Sequence, residues 1–123
     1  MPRFSEKLME HFTSPRNSGR LDVPDRVGLA GIPNRGPFMR LDLRLLEGRI
    51  VEARYQTHGC GPSIACGSVL TELILGRSIE EARMLTAADL SDALDGLPDD
   101  KRHCADTAIL ALHDALKDET SVG

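Results

Sequence analysis

The segment that decides the fold runs from Tyr55 to Gly67 and reads Tyr-Gln-Thr-His-Gly-Cys-Gly-Pro-Ser-Ile-Ala-Cys-Gly. Its first residues end an alternating, strand-like pattern and its last residues begin an apolar, helix-like one, so it predicts a strand-to-helix turn. The turn places Cys60 between two glycines at a helix N-terminus. Backbone N–H groups there favour an anion and stabilise a thiolate. We therefore expect Cys60 to be a nucleophile or a metal ligand.

An antiparallel hairpin is predicted immediately before this segment. From Phe38 onward, apolar and charged side chains alternate, which is typical of a strand with one buried face and one wet face. Glu47-Gly48 forms a tight turn, and a second alternating run continues to Thr57. The mixed charges of the wet face indicate ordinary exposure to solvent.

A short helix is predicted near the beginning of the chain, over residues 4–12. Apolar side chains recur there at a spacing of four, and Ser5 is suited to the helix start. Pro15 and Gly19 stop the helix, and a loop rich in glycine and proline is expected to continue to about residue 36. We expect His11 to lie at the surface or at the helix end.

Four helices are predicted after the hairpin, over residues 63–75, 78–84, 87–94 and 103–117. Cys66 lies near the middle of the apolar stripe of the first. His103 and Cys104 begin the last, and a frayed tail is expected after Asp118. A small antiparallel β-sheet covered on one face by helices is an α+β fold, and we expect residues 1–123 to form one such domain.

The composition excludes several classes of function. A chain of 123 residues suffices for one core, and a net charge of −4 without a long basic run argues against binding to nucleic acid or to an anionic membrane. No apolar segment approaches the length of a membrane span. An odd number of cysteines, three, and no apolar signal at the start predict a reducing, cytoplasmic location.

The three cysteines have different sequence environments. Glycines bracket Cys60, so no apolar pattern explains it, which favours a chemical role. Cys104 follows His103, which favours a ligand role, whereas the place of Cys66 within an apolar stripe favours core packing. We expect the two helix starts to meet, with Cys60 and Cys104 close enough to share an ion.

The candidate histidines and the spacing of the cysteines do not decide which metal the site would bind. His58 and His103 are both candidate ligands, although His58 is also explained as the last outward residue of its strand, and His113 points away from the buried face of its helix. Together with His103, the three cysteines form a set of soft or borderline ligands suited to zinc or iron–sulfur chemistry. No Cys-x-x-Cys pair supports an ordinary zinc finger, and no Ser-His-Asp order or phosphate loop supports hydrolysis.

Three separated stretches of the chain match one pattern in order. Residues 4–19 contain Phe-Ser-Glu-Lys, His-Phe and Pro-Arg-Asn-Ser-Gly, residues 57–65 contain Thr-His-Gly-Cys-Gly and Ser-Ile-Ala, and residues 97–104 read Leu-Pro-Asp-Asp-Lys-Arg-His-Cys. They resemble the opening helix and the segments of the second and third cysteines in the IscU/NifU N-terminal family of iron–sulfur cluster scaffolds. The resemblance covers nearly the whole chain.

The chain departs from this family pattern in three places. The family's Gly-x-Pro-x-Cys-Gly-Asp reads Gly-Ile-Pro-Asn-Arg-Gly-Pro at residues 31–37, so Arg35 replaces the first cysteine and Pro37 replaces the aspartate. The chaperone-binding Leu-Pro-Pro-x-Lys reads Leu-Pro-Asp-Asp-Lys at residues 97–101, and Cys66 stands where a small residue such as serine is usual. Arginine repels a bare cation, but it lowers the pKa of a nearby thiol and pairs with an anionic cluster or persulfide.

The resemblance implies a scaffold or carrier and not an enzyme. Cys60 would accept sulfur as a persulfide from a cysteine desulfurase. Cys60, Cys104 and His103, with Cys66 as a further candidate, would hold iron or an iron–sulfur cluster transiently before its transfer to recipient apo-proteins, and an Hsp70-type chaperone is a further expected partner. Two alternatives remain open: a zinc-binding sulfur acceptor that forms no cluster, and a relative that retains only a protein-binding surface.

Overall fold

Five α-helices and three β-strands make up residues 4–32 and 34–117, the part of the chain that this computed structural model describes. In chain order they are α1 (Glu6–Thr13), β1 (Arg26–Gly31), β2 (Phe38–Leu46), β3 (Arg49–His58), α2 (Gly61–Ile74), α3 (Ile79–Arg83), α4 (Ala87–Ala93) and α5 (Arg102–Leu116). A 3₁₀ turn, Asp99–Lys101, leads into α5. The tail expected after Asp118, and Pro33 of the altered motif, lie outside the described residues.

The strands form one antiparallel sheet in the order β1-β2-β3. The predicted hairpin of β2 and β3 is confirmed, and its turn has positive φ at both Glu47 (52°) and Gly48 (77°). Positive φ at both central residues matches the right-handed twist of the two strands. The predicted α+β fold is confirmed.

The prediction of a loop up to residue 36 is wrong, because β1 forms within it. Gly28, one of the glycines of the predicted loop, is a site of close approach: a Cβ there would lie 2.0 Å from the Ala111 carbonyl oxygen of α5. Glycine in a strand often marks such an approach of a second backbone. Strand β1 therefore exists because β2 pairs with one edge of it while α5 packs on its face.

Helices cover one face of the sheet, as predicted. Helix α5 packs on β1 and β2, and α2 packs on β3, over the buried side chains of Met39, Leu41 and Leu43. The Tyr55 hydroxyl donates to the carbonyl of Ile64, 3.0 Å away. Among the described residues, no helix is long and apolar enough to cross a membrane.

The opposite face of the sheet is not uniformly wet, which corrects the expectation for Asp42. The chain between α1 and β1 crosses this face, pairs with the outer edge of β3 at Ser18, and places the Leu21 N–H 3.1 Å from Asp42 Oδ2. Arg40 Nε donates to Asp42 Oδ1 at 2.7 Å. Asp42 is therefore buried, with its carboxylate paired and hydrogen-bonded.

His11 lies in the last turn of α1, consistent with the predicted helix-end position, but it is buried and not at the surface. Helix α1 packs on α2, and His11 Nδ1 lies 2.7 Å from the hydroxyl of Ser68. His11 Nε2 lies 3.5 Å from Glu72 Oε1. The small Ser68 leaves room for the imidazole between the helices, a fit that depends on α2 and not on the sequence around His11.

Candidate functional site

Cys60 lies where β3 has ended and α2 begins, as the opening segment predicted. It is the N-cap residue of α2, and its carbonyl accepts from the Ser63 N–H at 3.0 Å. Its side chain is half-buried and makes no capping hydrogen bond, so the sulfur is free to make other contacts. Pro62 occupies the first turn, where its missing N–H costs nothing.

Cys104 lies in the first turn of α5 and meets Cys60 there. The two Sγ atoms are 3.8 Å apart, and Cys104 is buried whereas Cys60 is partly exposed. Two thiolates on one tetrahedral zinc, each bonded at about 2.3 Å, have sulfurs roughly 3.8 Å apart. The expectation that the two helix starts meet is therefore confirmed, and the sulfur spacing suits a shared ion.

Ser63 is a third member of this site, and the sequence reading missed it. Its hydroxyl donates to Cys104 Sγ at 3.3 Å and lies 3.8 Å from Cys60 Sγ. A serine in the first turn of a helix is common and does not by itself indicate a functional site. The one signal in the sequence is that Ser63 follows a cysteine, Cys60, at the N-cap position.

His103 lies beside the thiols without completing a metal site. Its Nε2 is 3.7 Å from Cys104 Sγ, and its side chain is exposed on α5. Across residues 4–32 and 34–117, no three histidine, cysteine or acidic side chains are grouped closely enough to hold a metal ion. The predicted set of Cys60, Cys104 and His103 is thus two thiols in contact with an exposed imidazole next to Cys104.

Cys66 lies in the core, as its position in the apolar stripe predicted. It is fully buried, and burial raises the pKa of its thiol far above the usual range, with the nearby Cys104 and Cys60 adding to the effect. The geometry does not bring it into the contact between Cys60 and Cys104. A role as a ligand would require α2 to shift.

The two converged thiols have opposite pKa shifts. Burial opposes ionisation of Cys60, but the backbone N–H and hydroxyl of Ser63, the Cys104 thiol and the positive charge of Lys101 outweigh it, so the pKa of Cys60 is lowered. Burial raises the pKa of Cys104, and the negative charge of Cys60 raises it further. The first negative charge of the pair therefore belongs on Cys60. Lys101 is a second contributor that the sequence reading had not assigned to this site.

The remaining histidines have structural explanations. His58 is the exposed last residue of β3, and its ring contacts Phe38 edge-to-face with centroids 5.5 Å apart. His113 is exposed on α5, as predicted. Neither is brought to the two thiols.

Arg35 lies in the turn between β1 and β2. Gly31 pairs with Phe38, and Phe38 pairs with His58, so this turn is at the end of the sheet from which Cys60 follows. The Arg35 N–H donates to the carbonyl of Ile32 at 3.0 Å, and its side chain is exposed. The turn thus places a cation at the same end of the sheet as the two thiols.

Comparisons with known proteins agree with this arrangement. Residues 3–121 match the family model described as NifU-like N terminal domain. The chain is 38% identical over 122 residues to the iron–sulfur cluster assembly scaffold protein IscU of Escherichia coli (strain K12), covering 96% of this chain and 94% of that protein. It is 39% identical over 115 residues to IscU 1, of the same description, from Archaeoglobus fulgidus, covering 94% and 75% respectively.

Solved structures show the same fold. A NifU-like protein (N-terminal) from Brucella abortus superposes with a TM-score of 0.71 at 18% identity, over 97% of this chain and 95% of that one. A crystal structure from Fervidobacterium islandicum AW-1, described as a scaffold protein for the SUF system, gives a TM-score of 0.76 at 23% identity, over 93% and 96%. These likenesses support the fold.

Proposed function

Because this chain belongs to the NifU-like N-terminal domain family, we propose that it is an iron–sulfur cluster assembly scaffold. In this role it accepts sulfur at Cys60, holds iron or iron–sulfur species transiently, and passes them to recipient apo-proteins. It is a carrier of its cargo and not a catalyst.

One observation carries the proposal: Cys60 and Cys104 meet at two helix starts with their sulfurs 3.8 Å apart. Thiolates are the ligands that iron–sulfur species and zinc prefer. The half-exposed Cys60 leaves an opening through which a cargo ion enters, and the lowered pKa of Cys60 supplies a thiolate for it.

Few ligands other than the two thiols are available, which suits weak and transient binding of iron or iron–sulfur species. His103 is exposed beside Cys104, so rotation of its side chain is the shortest route to a third donor. Arg35 adds positive charge at this end of the sheet, which disfavours a bare cation and favours an anionic cluster or persulfide. The site as described supports a species that carries sulfide better than it supports a lone metal ion.

Zinc is the alternative cargo, because the same sulfur spacing suits a tetrahedral zinc ion. In that version Cys60 accepts sulfur and no cluster forms. A relative with only a protein-binding surface is less favoured, since such a protein has no need for two thiols in contact at two helix starts.

The proposed partners follow from this role. A cysteine desulfurase would deliver sulfur to Cys60, the exposed member of the pair. An Hsp70-type chaperone is proposed at residues 97–101, where the exposed 3₁₀ turn Asp99–Lys101 offers a surface, while Leu97 is buried and would not be available without local opening.

Anaerobic reconstitution tests the proposal. The reduced protein is incubated with ferrous iron and inorganic sulfide, desalted, and analysed for iron, sulfide and zinc. We expect iron and sulfide to be retained by the wild type, lost in Cys60→Ser and Cys104→Ser, and mostly retained in Cys66→Ser, the matched control in the core.

Two outcomes would contradict parts of this reading. A folded wild type that retains zinc but neither iron nor sulfide would favour the zinc alternative. Equal loss from Cys60→Ser and Cys66→Ser, with both variants shown by circular dichroism to be folded, would show that Cys66 is a ligand.

A further inference from the structure

The two thiols at the site are close enough to react with each other. A disulfide has sulfurs about 2.05 Å apart, so the Sγ atoms of Cys60 and Cys104, 3.8 Å apart, need to approach by less than 2 Å. Cys60 precedes the first turn of α2 without a side-chain capping hydrogen bond, and its Sγ lies 3.8 Å from Ser63 Oγ. Rotation of that side chain toward Cys104 breaks no strong interaction.

The two thiols also differ in their exposure to solvent and to a sulfur donor. Cys60 is half-buried at the opening of the site, whereas Cys104 is only 1% exposed and lies behind it. A sulfur donor therefore meets Cys60 first. Once Cys60 carries an added sulfur, its own Sγ is still the atom next to Cys104.

We propose that Cys60 and Cys104 act as an internal dithiol reductant, which converts sulfur delivered as a persulfide into sulfide and ends as a Cys60–Cys104 disulfide. The inference rests on the proposed function in one respect, that Cys60 is the sulfur acceptor. Beyond that function, it states that sulfur leaves the site as sulfide. It also assigns to Cys104 a reaction in addition to metal binding.

The first step transfers sulfur to Cys60. The Cys60 thiolate attacks the outer sulfur of a persulfide R–S–SH, an S–S bond forms between Cys60 Sγ and that sulfur, the S–S bond of the donor breaks, and R–S⁻ leaves. The products are Cys60–S–SH and the donor thiolate, so charge and hydrogen are conserved.

The second step reduces the transferred sulfur. Cys104 attacks Sγ of Cys60, the bond from Sγ to the outer sulfur breaks, and that sulfur leaves as H₂S with the proton of the Cys104 thiol. Two electrons pass from the two cysteines to the outer sulfur, which goes from the sulfane state to sulfide while the cysteines become a disulfide. Thiol–disulfide exchange depends on which sulfur is attacked and on access to it, and here the inner sulfur is the accessible one.

The surroundings favour this chemistry. The Ser63 hydroxyl donates to Cys104 Sγ at 3.3 Å and holds it toward Cys60. A further cycle requires an external dithiol that reduces the Cys60–Cys104 disulfide. The proposed step must therefore be followed by a reaction that consumes reducing equivalents.

A single-turnover experiment tests the inference. Reduced, metal-free protein is separated from all added thiol and mixed anaerobically with a small excess of glutathione persulfide. Sulfide is quantified, and after alkylation the cysteine peptides are mapped by mass spectrometry. We expect about one sulfide per chain and a linked pair of peptides that contain Cys60 and Cys104.

Variants separate the steps. Cys66→Ser should behave like the wild type. Cys104→Ser should keep the added sulfur on Cys60. It should release sulfide at about one tenth of the wild-type rate, or more slowly still. The glutathione freed in the first step can itself reduce persulfides, and the sulfide from Cys104→Ser measures that background. Detection of the disulfide in the wild type requires no variant, so a folding defect in Cys104→Ser does not remove the test.

The inference is overturned if the wild type accumulates a Cys60 persulfide without the Cys60–Cys104 disulfide, or if Cys104→Ser releases as much sulfide as the wild type. Either result leaves the proposed scaffold function standing if the same preparation retains iron and sulfide after reconstitution with inorganic sulfide, because that route bypasses the persulfide. Failure of the reconstitution alone would count against the scaffold function and not against the dithiol reaction.

Discussion

At the scale of single residues, the site contains two chemically different cysteines that are in contact. Cys60 is partly exposed and its thiol has a lowered pKa, while Cys104 is buried and its thiol has a raised pKa. The difference arises from the stronger effect of burial on Cys104, from the Ser63 backbone N–H that stabilises the Cys60 thiolate, and from the negative charge of Cys60, which raises the pKa of Cys104. We therefore expect Cys60 to be the thiol that attacks an external reagent.

Selective alkylation should reveal this order. In brief treatment with iodoacetamide near neutral pH, we expect Cys60 to react about tenfold or more faster than Cys66, because Cys60 combines exposure with a helix N-terminus. Mass-spectrometric mapping of the labelled peptides measures the rates. Labelling of Cys66 before Cys60 would show that the core has been assigned wrongly.

Replacement of Ser63 should weaken the Cys60 thiolate. The Ser63 hydroxyl is one of the groups that lower the pKa of Cys60, so Ser63→Ala should raise it and move the alkylation profile of Cys60 to higher pH. Ser14→Ala, at an exposed serine that ends α1, is the control. An unchanged pH profile of alkylation in Ser63→Ala would show that the Ser63 hydroxyl does not stabilise the Cys60 thiolate.

At the scale of elements, the separation of the thiols depends on how helices dock. Cys60 is fixed by the junction of β3 with α2, and Cys104 is fixed by the position of α5 on the sheet. Helix α5 reaches β1 only because Gly28 has no side chain. A change at the far end of α5 is therefore expected to alter the pair of sulfurs.

The substitution Gly28→Ala tests this dependence. The added Cβ would lie 2.0 Å from the Ala111 carbonyl oxygen and 2.7 Å from the Ala115 Cβ, so helix and strand must separate. We expect a loss of about 1 to 3 kcal/mol in the free energy of unfolding, measured with urea, together with less iron retained after reconstitution. Val27→Ala, at an exposed position of the same strand, should have a smaller effect on both.

The contact between α1 and α2 should weaken in acid. Burial is the largest cause of the lowered pKa of His11, Glu72 opposes it, Arg16 adds to it, and Glu10 and Lys7 act weakly in opposite senses. A lowered pKa means that the unfolded chain binds the proton more readily, so stability is complete above the ordinary value of about 6.5 and is lost as the pH falls below it. The free energy of unfolding measured from pH 8 to pH 5 should therefore decrease.

A variant without the titrating ring separates this effect from general acid denaturation. His11→Asn keeps a polar group near Ser68 but cannot gain a proton in this range. Its stability should depend less on pH between 8 and 5 than that of the wild type. Identical pH dependence in the two proteins would show that His11 does not determine it.

At the scale of the whole molecule, the fold brings a cation, a thiol of lowered pKa and a second thiol from distant parts of the chain to one end of the sheet. The turn that carries Arg35 and the end of β3 lie at one end of the sheet, and the starts of α2 and α5 meet beyond it. This end is where the family pattern has a further cysteine.

Restoration of that cysteine should increase retention of iron. In Arg35→Cys a third thiolate replaces a cation, which adds a soft ligand and removes repulsion of the metal. We expect more iron per chain after anaerobic reconstitution and desalting than in the wild type. Arg20→Cys, at an exposed position in the segment before β1, is the control for a merely added thiol. Equal iron in the wild type and Arg35→Cys would show that the turn does not reach the site.

The sequence by itself determined the features that depend on neighbouring residues. Alternation with a period of two predicted the hairpin, an apolar stripe predicted α2 and the burial of Cys66, and the glycines around Cys60 predicted an exposed thiol at a helix start. Each of these patterns is read within a few residues, because strand and helix periodicities are local properties of the backbone.

Only the tertiary structure decided the features that depend on distant partners. Strand β1 requires β2 and the close approach of α5 at Gly28, and the burial of His11 requires the small Ser68 on another helix. The Ser63 contact with Cys104 joins residues 41 positions apart. No local pattern encodes these contacts, because whether a side chain is buried or paired depends on what the rest of the chain places against it.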